Sequence, residues 1–348
     1  MDKMKLLVIC GGMSTEHSVS RMSCTSVYAK LNNDKYEKEL VGITKEGKWY
    51  IIDTTKITDF SQDNWLDNAK EVSDLLGYIQ SFDCIFPVLH GLYGEDGTIQ
   101  GLFELANVPY VGMRVIGSAN CMDKIYTKMV LDHAGIQQVK SCYVKKKYNG
   151  SLVLMNPDFS ESDDIEGYVT ENLGYPCFVK ASNSGSSVGC YKVHNKEELM
   201  PRLHEAAQYD RKIVVEEGID CTELECAILG NDDPKASLVG EILPAGEFYS
   251  FESKYEDANS STLIPARISE ENTKYIRETA VKAFKAVDGY GLSRVDFFLD
   301  KKTGKIYLNE INTLPGFTKI SMYPKLWEAT GIPYSELLDH LIELAFER

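Results

Sequence analysis

The stretch that most restricts this chain lies late, from Ser293 to Gly316: SRVDFFLDKKTGKIYLNEINTLPG. Two β-prone runs flank Lys301–Lys305, whose lysines, threonine and glycine are the residues hairpin turns use. A turn centred near Thr303 sets Asp296 opposite Glu310 and Arg294 opposite Asn312. Alternate residues of a strand share a face. Arg294, Asp296 and Phe298 then share one face with Leu308, Glu310 and Asn312. Val295, Phe297, Leu299, Tyr307 and Ile311 form the other, which suits a core. Carboxylates directly across from each other repel, so a positive charge belongs between them. Asp, Glu and an Asn carbonyl are hard oxygen donors, which Mg²⁺ accepts alongside water and phosphate oxygens. The plain alternative is a solvated hairpin with scattered charges.

The chain has 348 residues, room for two or three domains of roughly 100–200 residues each. Its formal net charge of −15 argues against non-specific binding to nucleic acid or to an anionic membrane. Nine cysteines without a C-x-x-C pair predict reduced thiols in a cytoplasmic protein rather than a disulfide framework or a zinc site. The opening MDKMKLLVICGG is too short in apolar length for a signal peptide. No run approaches the ~20 apolar residues of a membrane span.

Lys5–Cys10 is a continuous apolar run, the mark of a buried parallel strand. Gly11-Gly12, then Ser14-Thr15-Glu16-His17 and a helix over about 19–31 complete the opening of a βαβ unit. Open α/β sheets bind ligands at such strand ends. Glu16 is therefore either a ligand contact or a first-turn acid that favours the helix dipole. A second strand is predicted over 39–44 and a polar excursion over 54–68. A buried strand over 83–89 ends at His90-Gly91 before the acidic glycine loop to Gly97, and a further strand spans 108–111. The first domain, 1–121, reads as a small parallel α/β sheet.

A second unit spans 122–217. Asp123–Ala134 reads as a helix on which Lys124 and Lys128 share a face, with Lys128 expected in solvent. Cys177–Lys180 and Cys190–Val193 are strands around the loop Ala181–Gly189, ASNSGSSVG. Small Gly and Ser residues let backbone N–H groups approach an anion, and Lys180 can set its ammonium on a phosphate. A mobile serine-rich hairpin tip is the alternative. Ile213–Val215 is a buried strand that ends in Glu216-Glu217, suited to adenine or ribose groups or to an ordinary polar strand end.

The third unit, 218–348, pairs a strand over 223–229 with one over 236–243. A structureless run of about 20 residues, 244–263, reads as a lid because it is rich in aromatics. Arg267 has no evident partner in the sequence.

Several long motifs in order resemble the ATP-grasp superfamily and, within it, the D-alanine–D-alanine ligase family. They are GGMSTEHSVS at Gly11–Ser20, FPVLHGLYGEDGTIQG at Phe86–Gly101, CMDK at Cys121–Lys124 and FVKASNSGSSVG at Phe178–Gly189. VEEGI at Val215–Ile219, ECAILGND at Glu225–Asp232, FESKY at Phe251–Tyr255, SRVDFF at Ser293–Phe298 and NEINTLPGFTKISMYPKLW at Asn309–Trp327 complete the set.

The resemblance implies an α/β protein, α+β in its C-terminal part: an ATP-grasp fold of three domains, two of them clamping ATP. It implies ATP-dependent ligation of two D-alanines through a D-alanyl phosphate, with two Mg²⁺ ions (or Mn²⁺) on Asp296, Glu310 and Asn312. Lys124, Lys180, Ser187, Glu216, Glu217, Ile219, Glu223, Tyr249, Lys254, Asn309 and Glu310 would contact ATP. Glu16 would hold the first D-alanine's ammonium and link through Ser186 to Tyr255. Arg294 would stabilise the reacting oxygens. His90, Gly316, Ser321 and Met322 would line the substrate sites. A homodimer is implied. A D-serine acceptor, or a nucleotide-binding regulator without turnover, are the competing readings.

Overall fold

The computed structural model describes residues 3–243 and 261–347. Tyr249, Lys254, Tyr255 and most of the expected lid lie outside them. Three sheets organise the described chain.

In the first, β1 (Met4–Gly11) runs parallel between β2 (Tyr36–Ile43) and β5 (Cys84–Pro87). Leu6 to Ile9 are fully buried, which is why the run reads apolar on both faces. β3 (Trp49–Ile51) and β4 (Lys70–Glu71) add antiparallel at the edge, so the sheet is mixed rather than parallel. Residues 108–111 form no strand; only a bridge from Tyr110 to Ile85 is made there. The polar excursion hides three anchors, Ile57, Phe60 and Trp65, all buried. Arg21 stacks over Trp65 at 4.5 Å, so this segment covers the sheet.

The second sheet is antiparallel, in the order β10-β9-β11-β6-β7-β8. Its strands are β6 (Ser141–Lys146), β7 (Leu152–Met155), β8 (Glu161–Ser162), β9 (Cys177–Ala181), β10 (Cys190–Val193) and β11 (Lys212–Glu217). Val144, Val179 and Val215 bury one face against Leu199 and Leu203 of the helix Lys196–Ala206. Asn195 caps that helix by accepting the Glu198 N–H.

The third sheet orders β14-β13-β12-β15-β16: β12 (Cys221–Leu229), β13 (Lys235–Leu243), β14 (Ser261–Leu263), β15 (Leu292–Asp300) and β16 (Ile306–Asn312). One face packs on the helix Glu270–Ala286 through Ile276, Ala280 and Phe284. The other shares a core with the first sheet through Tyr323, Leu326 and Trp327. The last residues of the expected lid are therefore a strand, with Thr262 opposite Ile242. Arg267 has a partner: its guanidinium grips the Glu241 carboxylate at 2.7 and 3.1 Å.

The hairpin pairs as its turn requires, Asp296 opposite Glu310 and Arg294 opposite Asn312, but the register then shifts. Phe297 faces Leu308 and Phe298 faces Tyr307. Asn309 is thus a β-bulge, one extra residue in β16. Leu308 turns into the core at 1% exposure, and its N–H goes to the Gln137 carbonyl at 2.9 Å. The even alternation expected from sequence had put Leu308 on the acid face and Tyr307 in the core. The bulge exchanges them and lets Asn309 and Glu310 both line a cavity.

Candidate active site

That cavity lies where the three sheets meet. The ends of β1 and β5 bring Glu16 and His90, and the helix Lys124–His133 brings Lys124. Strand β9 brings Lys180, and the loop between it and β10 brings Ser186 and Ser187. The third sheet brings Glu223, Arg294, Asn309, Glu310 and Asn312, and the segment after it brings Gly316, Ser321 and Met322. Asp296 stands directly behind Arg294, and Glu216 behind Lys180. Glu217 and Ile219 lie outside the lining; a Glu217 carboxylate oxygen accepts the Lys140 N–H at 2.9 Å.

Glu16 is only 7% exposed and accepts a hydrogen bond from the Ser186 hydroxyl, tying the first sheet to the loop of the second. Two glycines make room for it. A Cβ on Gly91, whose φ is +70°, would come within 2.5 Å of Glu16 Oε2, and one on Gly185 within 2.8 Å. Ser186 and Ser187 both adopt positive φ, 48° and 61°. Two successive left-handed serines are costly, on the order of 1–3 kcal/mol each, and such strain clusters at functional sites. The loop root is clamped: Asp123 accepts from the Ser182 hydroxyl at 2.6 Å and pairs with Lys212. Lys124 donates to the Ser184 carbonyl at 2.5 Å, and burial lowers its pKa.

Arg294 is the cation the hairpin demands. It grips Asp296 at 2.7 and 2.6 Å and reaches Glu225 Oε2 at 3.0 Å. Burial disfavours its charge, but the carboxylates outweigh that and raise its pKa. Asn312 donates to Asp296 Oδ2 at 3.0 Å, which leaves its amide oxygen as the ligand it can offer. Ser321 Oγ accepts the Thr318 N–H at 3.0 Å and opens the helix Met322–Thr330.

Four residues escaped the sequence reading. Glu225 follows Glu223 on the same strand face, a signal that was present. Lys128 is not in solvent: it is 8% exposed, with its ammonium 2.7 Å from Glu216 Oε1. Its shared face with Lys124 pointed at the site. Asp123 accepts the Ile125 N–H at 3.1 Å and so caps the helix that carries Lys124. Glu95 had no signal, since acids in glycine loops are usually exposed. Here it accepts the N–H groups of Gly91 and Leu314 at 2.7 and 2.9 Å. Burial, then the nearby Glu16, push its pKa up to about 8.

Two family models cover most of the chain, "D-ala D-ala ligase N-terminus" over residues 5–113 and "D-ala D-ala ligase C-terminus" over 146–343. The chain belongs to the D-alanine–D-alanine ligase family. D-alanine–D-alanine ligase B of Clostridium tetani is 50% identical over 352 residues, 99% of this chain and 94% of the relative. The D-alanine–D-alanine ligase of Acetivibrio thermocellus is 47% identical over 100% of this chain and 97% of the relative. Among solved structures, the D-alanine–D-alanine ligase of Coxiella burnetii superposes with a TM-score of 0.87 at 38% identity, covering 100% of this chain and 95% of that one. The D-Ala:D-Ser ligase VanG of Enterococcus faecalis gives 0.85 at 36%, covering 99% and 100%.

The family is an ATP-grasp family and uses ATP and Mg²⁺. The donor set fits such an ion. Asp296, Glu310 and Asn312 offer hard oxygens, and Asp296 is 8% exposed and salt-bridged to Arg294. Among the described residues no three His, Cys, Asp or Glu side chains form a metal cage. Mg²⁺ keeps waters and takes substrate phosphate oxygens, so it needs few protein ligands. Among the described residues no helix is long and apolar enough to cross a membrane.

Proposed function

We propose that the chain joins two D-alanines at this cavity, activating the first with ATP, in peptidoglycan precursor synthesis. The observation that carries this reading is the facing of Lys124, Lys180 and the strained Ser186–Ser187 turn against the acid and amide row Asn309, Glu310 and Asn312 in one cavity. A carboxylate is a poor acyl donor. Its oxygen attacks the γ-phosphorus of ATP, ADP leaves, and a D-alanyl phosphate forms. Lys124 and Lys180 meet the nucleotide's phosphates, Glu223 its adenosine, and Ser187 its phosphate end, while Glu216 acts from behind through Lys180. Asp296, Glu310 and Asn312 would hold Mg²⁺, which neutralises phosphate charge when bound.

Glu16, oriented by Ser186, holds the first D-alanine's ammonium. The second D-alanine, its carboxylate on Ser321, attacks the acyl carbon through its amine. Phosphate leaves and the nitrogen sheds a proton. Arg294, fixed by two carboxylates, stabilises the developing oxyanion. The three units 1–121, 122–217 and 218–348 would supply the substrate wall and the two clamps. Nine free thiols fit a reducing cytoplasm. Leu105 and Ile116, 81% and 64% exposed on adjacent helices, fit a homodimer face.

Purified protein with ATP, Mg²⁺ and D-alanine should release phosphate and D-alanyl-D-alanine; release only with another amino acid overturns the reading. The likeness to VanG keeps a D-serine acceptor as the second reading, since one hydroxyl is a small difference for a pocket to discriminate. Offering both acceptors together and weighing the dipeptide by mass spectrometry decides between them. ATP binding with no ADP formed under any D-amino acid would instead indicate a regulator.

A further inference from the structure

Lys128 is buried, charged and unused by the mechanism above. It lies one turn after Lys124 on the helix Lys124–His133. Its ammonium is 2.7 Å from Glu216 Oε1, while that of Lys180 is 2.5 Å from Glu216 Oε2. One carboxylate, itself 3% exposed, thus carries an ammonium on each oxygen. Burial opposes its ionisation, but the two lysines prevail and hold its pKa below the usual carboxylate range. This is one cation more than neutrality requires. Buried charge is expensive unless paired, so the surplus needs a use.

The two lysines differ in what else they face. Lys180 ends its strand beside Cys190, and Glu310 on the opposite wall acts on its charge, as it does on Lys124. Lys180 therefore looks across the space the phosphates would fill. Lys128 also borders the cavity, one helical turn from Lys124, but its ammonium rests on Glu216.

We propose that Lys128 is a positioning residue for the nucleotide: it stays on Glu216 as the resident counter-charge, so that Lys180 can turn from Glu216 to an anionic phosphate without stranding a buried carboxylate. This rests on the nucleotide reading above. Before binding, two cations share one anion; after it, each cation has its own. With Lys128 removed, Lys180 is the one cation left in salt-bridge contact with Glu216 among the described residues, and its transfer to phosphate leaves a poorly compensated charge in a dry place. The nucleotide must then bind against that cost.

The test is a double-mutant cycle on the full chain, with ADP and ATP affinity measured by calorimetry in Mg²⁺ and KM measured for ATP and for D-alanine. Lys128→Met should weaken nucleotide binding about tenfold, within the range coupled neighbours show, and raise the KM for ATP alike, with the KM for D-alanine unmoved. Lys128→Arg should restore the affinity. In the Glu216→Gln background the same Lys128→Met change should cost less than about twofold, because no carboxylate is left to strand. Equal losses in both backgrounds, or unchanged affinity in Lys128→Met, would overturn the proposal. Should Lys128→Met not fold, the double variant, which strands no carboxylate, is compared with Glu216→Gln alone and should bind the nucleotide as that variant does; weaker binding overturns the proposal too. A wild-type protein that binds no ATP sinks the nucleotide reading itself, which is a separate result.

Discussion

His90 Nδ1 donates to the Leu314 carbonyl oxygen at 2.9 Å, across 224 positions of sequence. A carbonyl can only accept, so this nitrogen carries the proton. Nε2 then accepts from the Ser23 hydroxyl at 3.0 Å, and Ser23 Oγ accepts the Phe317 N–H at 3.2 Å. Burial lowers the ring's pKa, in keeping with a neutral imidazole. With Glu95 on the Leu314 N–H, one loop of the first sheet holds both polar groups of a residue two places beyond Asn312. His90 thus lines the cavity with both ring nitrogens already engaged by the protein.

His90→Ala should therefore act through the Leu314 loop. The orphaned Leu314 carbonyl costs about 1–3 kcal/mol of stability. Displacing Asn312 and Gly316 by the order of 1 Å should lower the rate of D-alanine-dependent phosphate release by about a hundredfold. Thermal unfolding and steady-state kinetics check the two parts. Unchanged kinetics in a destabilised variant would refute the loop role.

Glu95 sets a pH dependence. Its carboxyl ionises near 4.5 in the unfolded chain and near 8 in the fold, so the folded state binds the proton more tightly. Its contribution to stability is complete below about pH 4.5 and is lost as pH rises through about 8. Denaturant unfolding at pH 5 and pH 9 should show a larger loss for the wild type than for Glu95→Gln. Equal losses would mean that Glu95 is ionised throughout.

Arg294 separates charge from geometry. Arg294→Lys keeps the charge but not the two-pronged grip on Asp296. It should fold, with kcat lowered by about 10²–10³, the scale of losing an oxyanion donor. Arg294→Ala removes the cation that two buried carboxylates, Asp296 and Glu225, share and should lose about 3–5 kcal/mol of stability. A fully active Arg294→Lys would show that position, not fork geometry, matters.

Asp296→Asn should raise the Mg²⁺ concentration needed for half-maximal activity by at least about tenfold, with chelation abolishing turnover in both proteins. A magnesium titration of phosphate release reads this directly. An unshifted titration would remove Asp296 from the ion's ligands.

Local rules carried the hairpin, because Lys301–Lys305 fixes which residues meet and Asp296 does face Glu310. They failed at Asn309, since a bulge is settled by what the strand packs on, here the Gln137 carbonyl and the core around Leu308. They failed at Lys128 because its partner Glu216 lies on a strand far along the chain. A lysine on a helix otherwise reads as solvated. Glu95 was hidden for the same reason, its second donor being the Leu314 N–H.

The extra residue in β16 sets how many polar side chains that strand presents to the cavity. On one side of Asn309 the hydrophobic phase is kept by Ile306 and Leu308, and on the other by Ile311. Dropping Asn309 would make Phe297–Leu308 and Asp296–Glu310 consecutive pairs and let the apolar phase run unbroken through Ile306, Leu308 and Ile311. A one-codon deletion there would leave the greasy side of the strand intact and take from the cavity one of its two adjacent polar side chains.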